Sequence, residues 1–114
     1  MSMPERGVLL DAARQTAGLD DFGDTWFFGH MDKFIESINT EARLNEEGLG
    51  GVQGMVINAM VNRLRHIELV KQNPEIKDLP VDVSAIVVGL PRTGSTMMHR
   101  MLSSAKGMTG VKWY

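Results

Sequence analysis

Residues 85–101, AIVVGLPRTGSTMMHRM, constrain the fold more than any other part of the chain. Residues 85–88 form an apolar run without alternation, which predicts a strand buried on both faces. Two glycines and a proline follow within a short turn, and from residue 95 to about residue 104 the apolar spacing predicts a helix. Such a turn brings backbone N–H groups to the positive end of a helix dipole. This arrangement is typical of sites that bind phosphate or sulfate.

Three helices are predicted before this strand. Pro4 suits a first helical turn, and Gly18 ends the apolar pattern of the first helix. Asp24 is expected to cap a second, amphipathic helix. Asn45 is expected to cap a third, whose beginning is weakened by four glycines and whose end lies at Asn73. Its length predicts a helical hairpin between the second and third helices.

The predicted fold class is therefore α/β. A helical region spans residues 1–82, and residues 83–114 form the first strand, loop and helix of an incomplete α/β domain. The last stretch, GMTGVKWY, is expected to be a loop that leads into another strand. A strand buried on both faces needs neighbours. We therefore expect the chain to be the front part of a larger α/β protein or a truncated relative of one.

Composition excludes several classes of partner. Twelve basic and 14 acidic residues give a net charge of −2, which lacks the basic footprint that nucleic acid or an anionic membrane selects. No cysteine is present, which excludes disulfides and thiolate metal sites and fits a cytoplasmic location. No apolar run approaches the roughly 20 residues needed to cross a bilayer.

The turn carries groups suited to an anion. Glycines permit close approach of a ligand to the backbone, hydroxyl side chains donate hydrogen bonds, and a guanidinium stays charged near neutral pH. These residues are Gly89, Pro91, Arg92, Thr93, Gly94, Ser95 and Thr96. The Walker A loop, G-x-x-x-x-G-K-S/T, is the first comparison. Ser95 occupies the position of its lysine, so ATP or GTP hydrolysis and a P-loop kinase are disfavoured, although magnesium-dependent ATP binding would revive the kinase.

At this loop the sequence resembles the sulfotransferases that use 3′-phosphoadenosine 5′-phosphosulfate (PAPS), in particular their bacterial branch. The family loop runs Pro, Lys or Arg, Ser or Thr, Gly, Ser or Thr, Ser or Thr. Its six positions are matched by Pro91, Arg92, Thr93, Gly94, Ser95 and Thr96. Looser similarity covers AGLDDFG, EARLNEEG, NRLRHIELVKQNPEI and AIVVGLPRTGST. The resemblance implies a truncated P-loop NTPase-like sulfotransferase fold, with a parallel sheet that begins at residues 85–88.

The resemblance also implies an enzymatic role. PAPS would be the sulfuryl donor, a small-molecule hydroxyl or amine the acceptor, and no metal would be required. Arg92 would be catalytic, beside the phosphosulfate bridge, and residues 93–96 would hold the 5′-phosphate. In the family, the general base and the residues that bind the 3′-phosphate follow the first βα unit. We therefore expect this chain alone not to be catalytically competent.

Alternatives to this interpretation remain open. The main one is a non-catalytic helical interaction module with a relic anion-binding loop, which forms homo-oligomers or associates with the missing part of the fold through exposed apolar surface. His99 as a base and His30 and His66 as ligands are disfavoured against packing or surface roles. A further candidate is a local basic face that could bind an anion, although a solvated helix side is preferred. This face consists of Arg63, Arg65 and Lys71. The acidic cluster Asp20, Asp21 and Asp24 lacks the pattern of a calcium loop.

Overall fold

The computed structural model describes residues 2–111. The chain divides into two compact units, Met1–Asp78 and Leu79–Tyr114. Helices α1 (Arg6–Ala17), α2 (Phe28–Thr40) and α3 (Glu46–Gln72) and a 3₁₀ helix (Pro74–Asp78) lie in the first unit. Helix α4 (Ser95–Ser103) lies in the second. None of the helices within residues 2–111 has the length and apolar character needed to cross a membrane. The domain bounds predicted from the sequence, 1–82 and 83–114, stay a prediction.

Helix α1 ends as its sequence predicts. Gly18 adopts the left-handed conformation with φ 66°, and its N–H donates to the carbonyl of Arg14 at 2.8 Å. This geometry closes the last turn, and glycine adopts it without the steric cost that a side chain brings.

Helix α3 begins at Glu46, directly after the predicted cap Asn45, although four glycines follow in its first turns. The Asn45 side chain accepts a hydrogen bond from the N–H of Gly48 at 2.9 Å, which confirms the predicted cap. Glu46 and Glu47 add negative charge at the positive end of the helix. Leu49, one turn in, is buried. The cap and this early burial offset the low helix propensity of the glycines.

The predicted hairpin of α2 and α3 was also wrong, because α1 packs against both of these helices instead. No Cα atom of α2 lies within 8 Å of a Cα atom of α3, whereas α1 has its most extensive contact with α3. Buried side chains from all three helices and their flanks form one core. Its members are Met3, Leu9, Leu10, Ala13, Phe22, Met31, Ile35, Leu49, Val61 and Leu64. Helix α1 buries both Leu9 and Leu10, and this wide apolar face allows it to pack against two neighbours.

The predicted parallel sheet is contradicted. Residues 2–111 contain helices and no strand, so the βα unit expected around residues 85–96 is absent from this part of the chain. Residues 80–90 lack regular secondary structure, with Ile86 78% and Val88 88% exposed. An apolar β-branched run becomes a strand only when a neighbour pairs with its N–H and C=O groups, and no other described segment does so. The further strand expected after residue 107 falls partly on residues 112–114, which lie outside the described residues.

Candidate functional site

The loop that precedes α4 is stabilised by contacts within itself. The hydroxyl of Thr93 donates to the carbonyl of Leu90 at 2.6 Å. A Cβ atom placed on Gly89 would lie 3.0 Å from that hydroxyl oxygen and 3.8 Å from Cβ of Ser95. Glycine at position 89 therefore lets the start of the loop pack closely against its end. The Thr93 hydroxyl, which we expected from the sequence to bind a phosphate, therefore donates its hydrogen bond within the loop.

Backbone dihedral angles alternate in sign through the middle of this loop. Arg92 has φ 67° and Gly94 has φ 87°, whereas Thr93 between them keeps a negative φ. Backbone that alternates between right-handed and left-handed conformations turns successive N–H groups toward one side, as in an anion-binding nest, and the signs of φ in this loop agree with such a backbone. The left-handed conformation costs a residue with a side chain about 1 kcal/mol. The sequence did not predict this conformation at Arg92.

The first turn of α4 leaves its donors open. Gly94 precedes the helix and no side chain caps it, in contrast to Asn45 at the start of α3. The first backbone hydrogen bond runs from the N–H of Met98 to the carbonyl of Gly94, at 3.0 Å. The N–H groups before Met98 have no intrahelical acceptor, because helix geometry provides none for the first turn. Together with the helix dipole, they favour an anion at this point.

The charged residues in the segment that contains the loop are all basic, although the whole chain has a net charge of −2. All 14 acidic residues lie in residues 1–82, whereas residues 83–114 contain four basic residues and no acid. Arg92 is exposed and makes no ion pair within residues 2–111. Counting charge segment by segment would have revealed this local positive field from the sequence. The loop therefore carries a guanidinium that no carboxylate of its own segment neutralises.

Each residue that the sequence singled out for the donor site lies in this one stretch. Thr96 and the four residues of positions 91–94 are exposed, and Ser95 is half-buried in the first turn of α4. The hydroxyls of Ser95 and Thr96 make no hydrogen bond within the described residues. What the arrangement offers chemically is a set of backbone donors, two hydroxyls and one cation. The roles assigned to residues 91–96 stay predictions.

The three histidines lie in different surroundings. The carbonyl of His99 accepts from the hydroxyl of Ser103 at 2.6 Å, and the ring of His99 lies against Gly110. The ring of His30 packs edge-on to Trp26, with centroids 5.7 Å apart. His66 is exposed on α3. Among residues 2–111, no group of three or more His, Asp or Glu side chains is placed to hold a metal ion.

Two of the three residues of the basic face of α3, Arg63 and Lys71, make contacts within the protein. The Arg63 guanidinium donates to the carbonyl of Phe22 at 2.7 Å and to that of Asp24 at 2.6 Å, and it lies 4.4 Å from the ring centroid of Phe27. Together these contacts hold the loop between α1 and α2 against α3. The face is thus neither an open anion site nor the simply solvated side that was preferred from sequence.

The acidic loop is fixed by the same helix and by its own backbone. Lys71 forms an ion pair with Asp21 at 2.5 Å, and the Asp21 carboxylate also accepts from the N–H of Gly23 at 2.7 Å. The hydrogen bond from Lys71 and then that from Gly23 lower the pKa of Asp21. Asp24 accepts from the N–H of Trp26 at 3.0 Å, and α2 begins at Phe28. The predicted cap of α2 by Asp24 was therefore wrong, because this carboxylate closes a turn before the helix.

Searches of protein-family models, curated proteins and solved structures find no match to this chain. The resemblance to sulfotransferases therefore rests on the six residues of the loop and the looser stretches before it, and membership of that family stays a hypothesis.

Proposed function

We propose that residues 91–96 bind the 5′-phosphosulfate group of PAPS, and that the chain takes part in the transfer of a sulfuryl group to a hydroxyl or amine acceptor. One observation carries the proposal: an uncapped helix start, a loop with alternating φ signs and a guanidinium without an ion pair among residues 2–111 coincide at the six positions of the family loop. The first two features present backbone N–H groups to an anion, and the third adds a positive charge.

The residues of the loop would have distinct tasks. PAPS would supply the sulfuryl group: the bond from sulfur to the acceptor oxygen or nitrogen would form, the bond from sulfur to the bridging oxygen of the 5′-phosphate would break, and the acceptor would release its proton to solvent. Arg92 would stabilise the negative charge that grows on that oxygen, and such a contact favours the transition state over the ground state. The N–H groups of Gly94, Ser95 and Thr96 would hold the 5′-phosphate. No residue among positions 1–114 is assigned as the general base or as a ligand of the 3′-phosphate.

A second candidate function is a helical interaction module whose loop no longer binds a nucleotide. It is favoured by exposed apolar side chains around the loop, notably Leu90 before it and Met97, Met98 and Met101 in α4. Surfaces of this kind are uncommon on proteins without partners. The two functions differ in one observable property, which is affinity for the nucleotide.

A calorimetric titration of the full chain with 3′-phosphoadenosine 5′-phosphate tests the proposal. We expect saturable binding that Mg-ATP does not displace and that Arg92→Ala weakens at least roughly tenfold, because a charged hydrogen bond is lost. Arg100→Ala is the matched control, since it removes the same charge from an exposed position at the far end of α4. Absence of binding by a chain with native helix content would favour the interaction module. Equal losses in the two variants would mean that general charge, and not the loop, attracts the nucleotide.

A further inference from the structure

The segment before the loop exposes both its apolar side chains and its backbone. Residues 80–90 make no backbone-to-backbone hydrogen bond within the part of the chain that the structure describes. Ile86, Val88 and Leu90 alternate with smaller or half-buried residues and are 78%, 88% and 76% exposed. An open backbone and apolar side chains at every second position are the features that another strand recognises.

Two charged residues lie symmetrically about Val87, near the ends of this segment. Asp82 lies five residues before Val87 and Arg92 five residues after it, and the nine residues between Asp82 and Arg92 carry no charge. Both charged residues are exposed, and neither makes an ion pair within residues 2–111. A partner that fits this pattern needs an apolar strand with an acid at one end and a base at the other. A second copy of the same segment, in the opposite direction, meets this requirement.

We propose that two copies of this chain associate through antiparallel pairing of residues 84–90, with Val87 of each copy opposite Val87 of the other. In this register Asp82 lies at the same end of the strand pair as Arg92 of the second copy, and the reverse pair forms at the other end. Arg92 keeps its place in the turn before α4, where its φ is 67°. Ile86 faces Val88, so branched apolar side chains meet on one face. The argument for this association does not use the proposed nucleotide binding, but the two sites are linked because Arg92 belongs to both.

The charges distinguish this register from its alternatives. Parallel pairing in register places Asp82 beside Asp82 and Arg92 beside Arg92, and like charges directly opposite are destabilising. A shift of one residue in the antiparallel pair would place the exposed side chains of the two copies on opposite faces of the pair. Only the arrangement centred on Val87 aligns both charge pairs and keeps Ile86 opposite Val88.

Sedimentation velocity on the full chain and two charge-reversal variants tests the pairing. We expect the native chain to form dimers, and Asp82→Arg and Arg92→Asp each to weaken the dimer roughly tenfold or more, because both end pairs become repulsive. An equimolar mixture of the two variants should restore dimers, because every Arg then faces an Asp. Weak specific dimers are detected at concentrations up to about 100 μM. A native chain that stays monomeric up to that concentration would overturn the proposal. So would variants that dimerise as well alone as when mixed.

Cross-linking gives a second test that does not depend on the charged residues. The chain has no cysteine, so a single engineered thiol reports one position. Val87→Cys should form an intermolecular disulfide on mild oxidation, since residues directly opposite have Cβ atoms about 4.5–5.5 Å apart. Ile86→Cys should cross-link more slowly, because the two copies of residue 86 lie diagonally at about 7–8 Å. Equal rates at the two positions would exclude the register centred on Val87.

Discussion

Substitution of Arg63 by methionine tests whether α3 holds the loop between α1 and α2. The substitution keeps an apolar stem of similar length and removes the guanidinium. The native side chain makes two hydrogen bonds to backbone carbonyls, those of Phe22 and Asp24, and stacks on the ring of Phe27. All three partners belong to the loop or its junction with α2, so the variant isolates the link between loop and helix.

The expected loss follows from the surroundings of each contact. A hydrogen bond from a charged donor contributes about 1.5–3 kcal/mol, and the partly buried bond to Phe22 warrants the lower end of this range. The bond to Asp24 is exposed, and water replaces most of it, so we assign it about 0.5 kcal/mol. The cation–π contact adds about 0.5 kcal/mol at such a site. The free energy of unfolding should therefore fall by about 2.5 kcal/mol.

Urea unfolding followed by far-UV circular dichroism measures this loss. A unit of this size has a slope near 1 kcal/mol per molar urea, so the midpoint should fall by about 2.5 M. Arg65→Met is the matched control, because Arg65 is exposed two residues along the same helix and makes no hydrogen bond or ion pair within residues 2–111. A change below about 0.5 kcal/mol for Arg63→Met, or an equal change for Arg65→Met, would refute the assigned role.

Three further changes probe the helical unit. Leu64 is fully buried, so Leu64→Ala should lower the free energy of unfolding by about 3 kcal/mol in urea titrations, and a loss below about 1 would show that its site is loosely packed. Asn45→Ala removes the cap of α3 and should cost about 1 kcal/mol in the same assay, whereas no change would mean that water replaces the cap. Hydrogen bonds from Lys71 and then Gly23 lower the pKa of Asp21 from its ordinary 3.8, so this carboxylate stabilises the fold above that value and the contribution is lost as pH falls through the lowered pKa. As pH is lowered from about 6 to about 2, the free energy of unfolding should therefore fall less for Asp21→Asn than for the native chain. An identical pH dependence of the two proteins would contradict this assignment.

Local signals in the sequence predicted helix ends well where one residue decides the geometry. Gly18 and Asn45 act at the positions expected of them, because a left-handed turn and a side-chain cap depend on a few neighbouring atoms. Asp24 was assigned to the wrong structure, since a carboxylate closes a turn two residues on as readily as it caps a helix. Arg63, which lies 39 residues further along the chain, donates a hydrogen bond to the carbonyl of Asp24 in the same loop.

Contacts between distant segments were beyond the reach of the sequence pattern. An apolar run such as residues 85–88 has the same composition whether or not a second strand pairs with it, so the predicted sheet failed while the helix after it was confirmed. The candidate loop was located from its residue types. Its positive φ at Arg92 was not predicted, because left-handed backbone is rarely expected at a residue with a long side chain.

The claim that the loop before α4 holds a 5′-phosphate is tested most directly by amide chemical shifts. In a titration of the ¹⁵N-labelled full chain with 3′-phosphoadenosine 5′-phosphate, we expect the largest shifts at the N–H groups of Gly94, Ser95 and Thr96, and none there with adenosine alone. Shifts centred on α3, near Arg65, or a response of the loop to adenosine equal to that with the nucleotide, would contradict the claim. The alternation of φ at Arg92 and Gly94 and the uncapped first turn of α4 predict the first result.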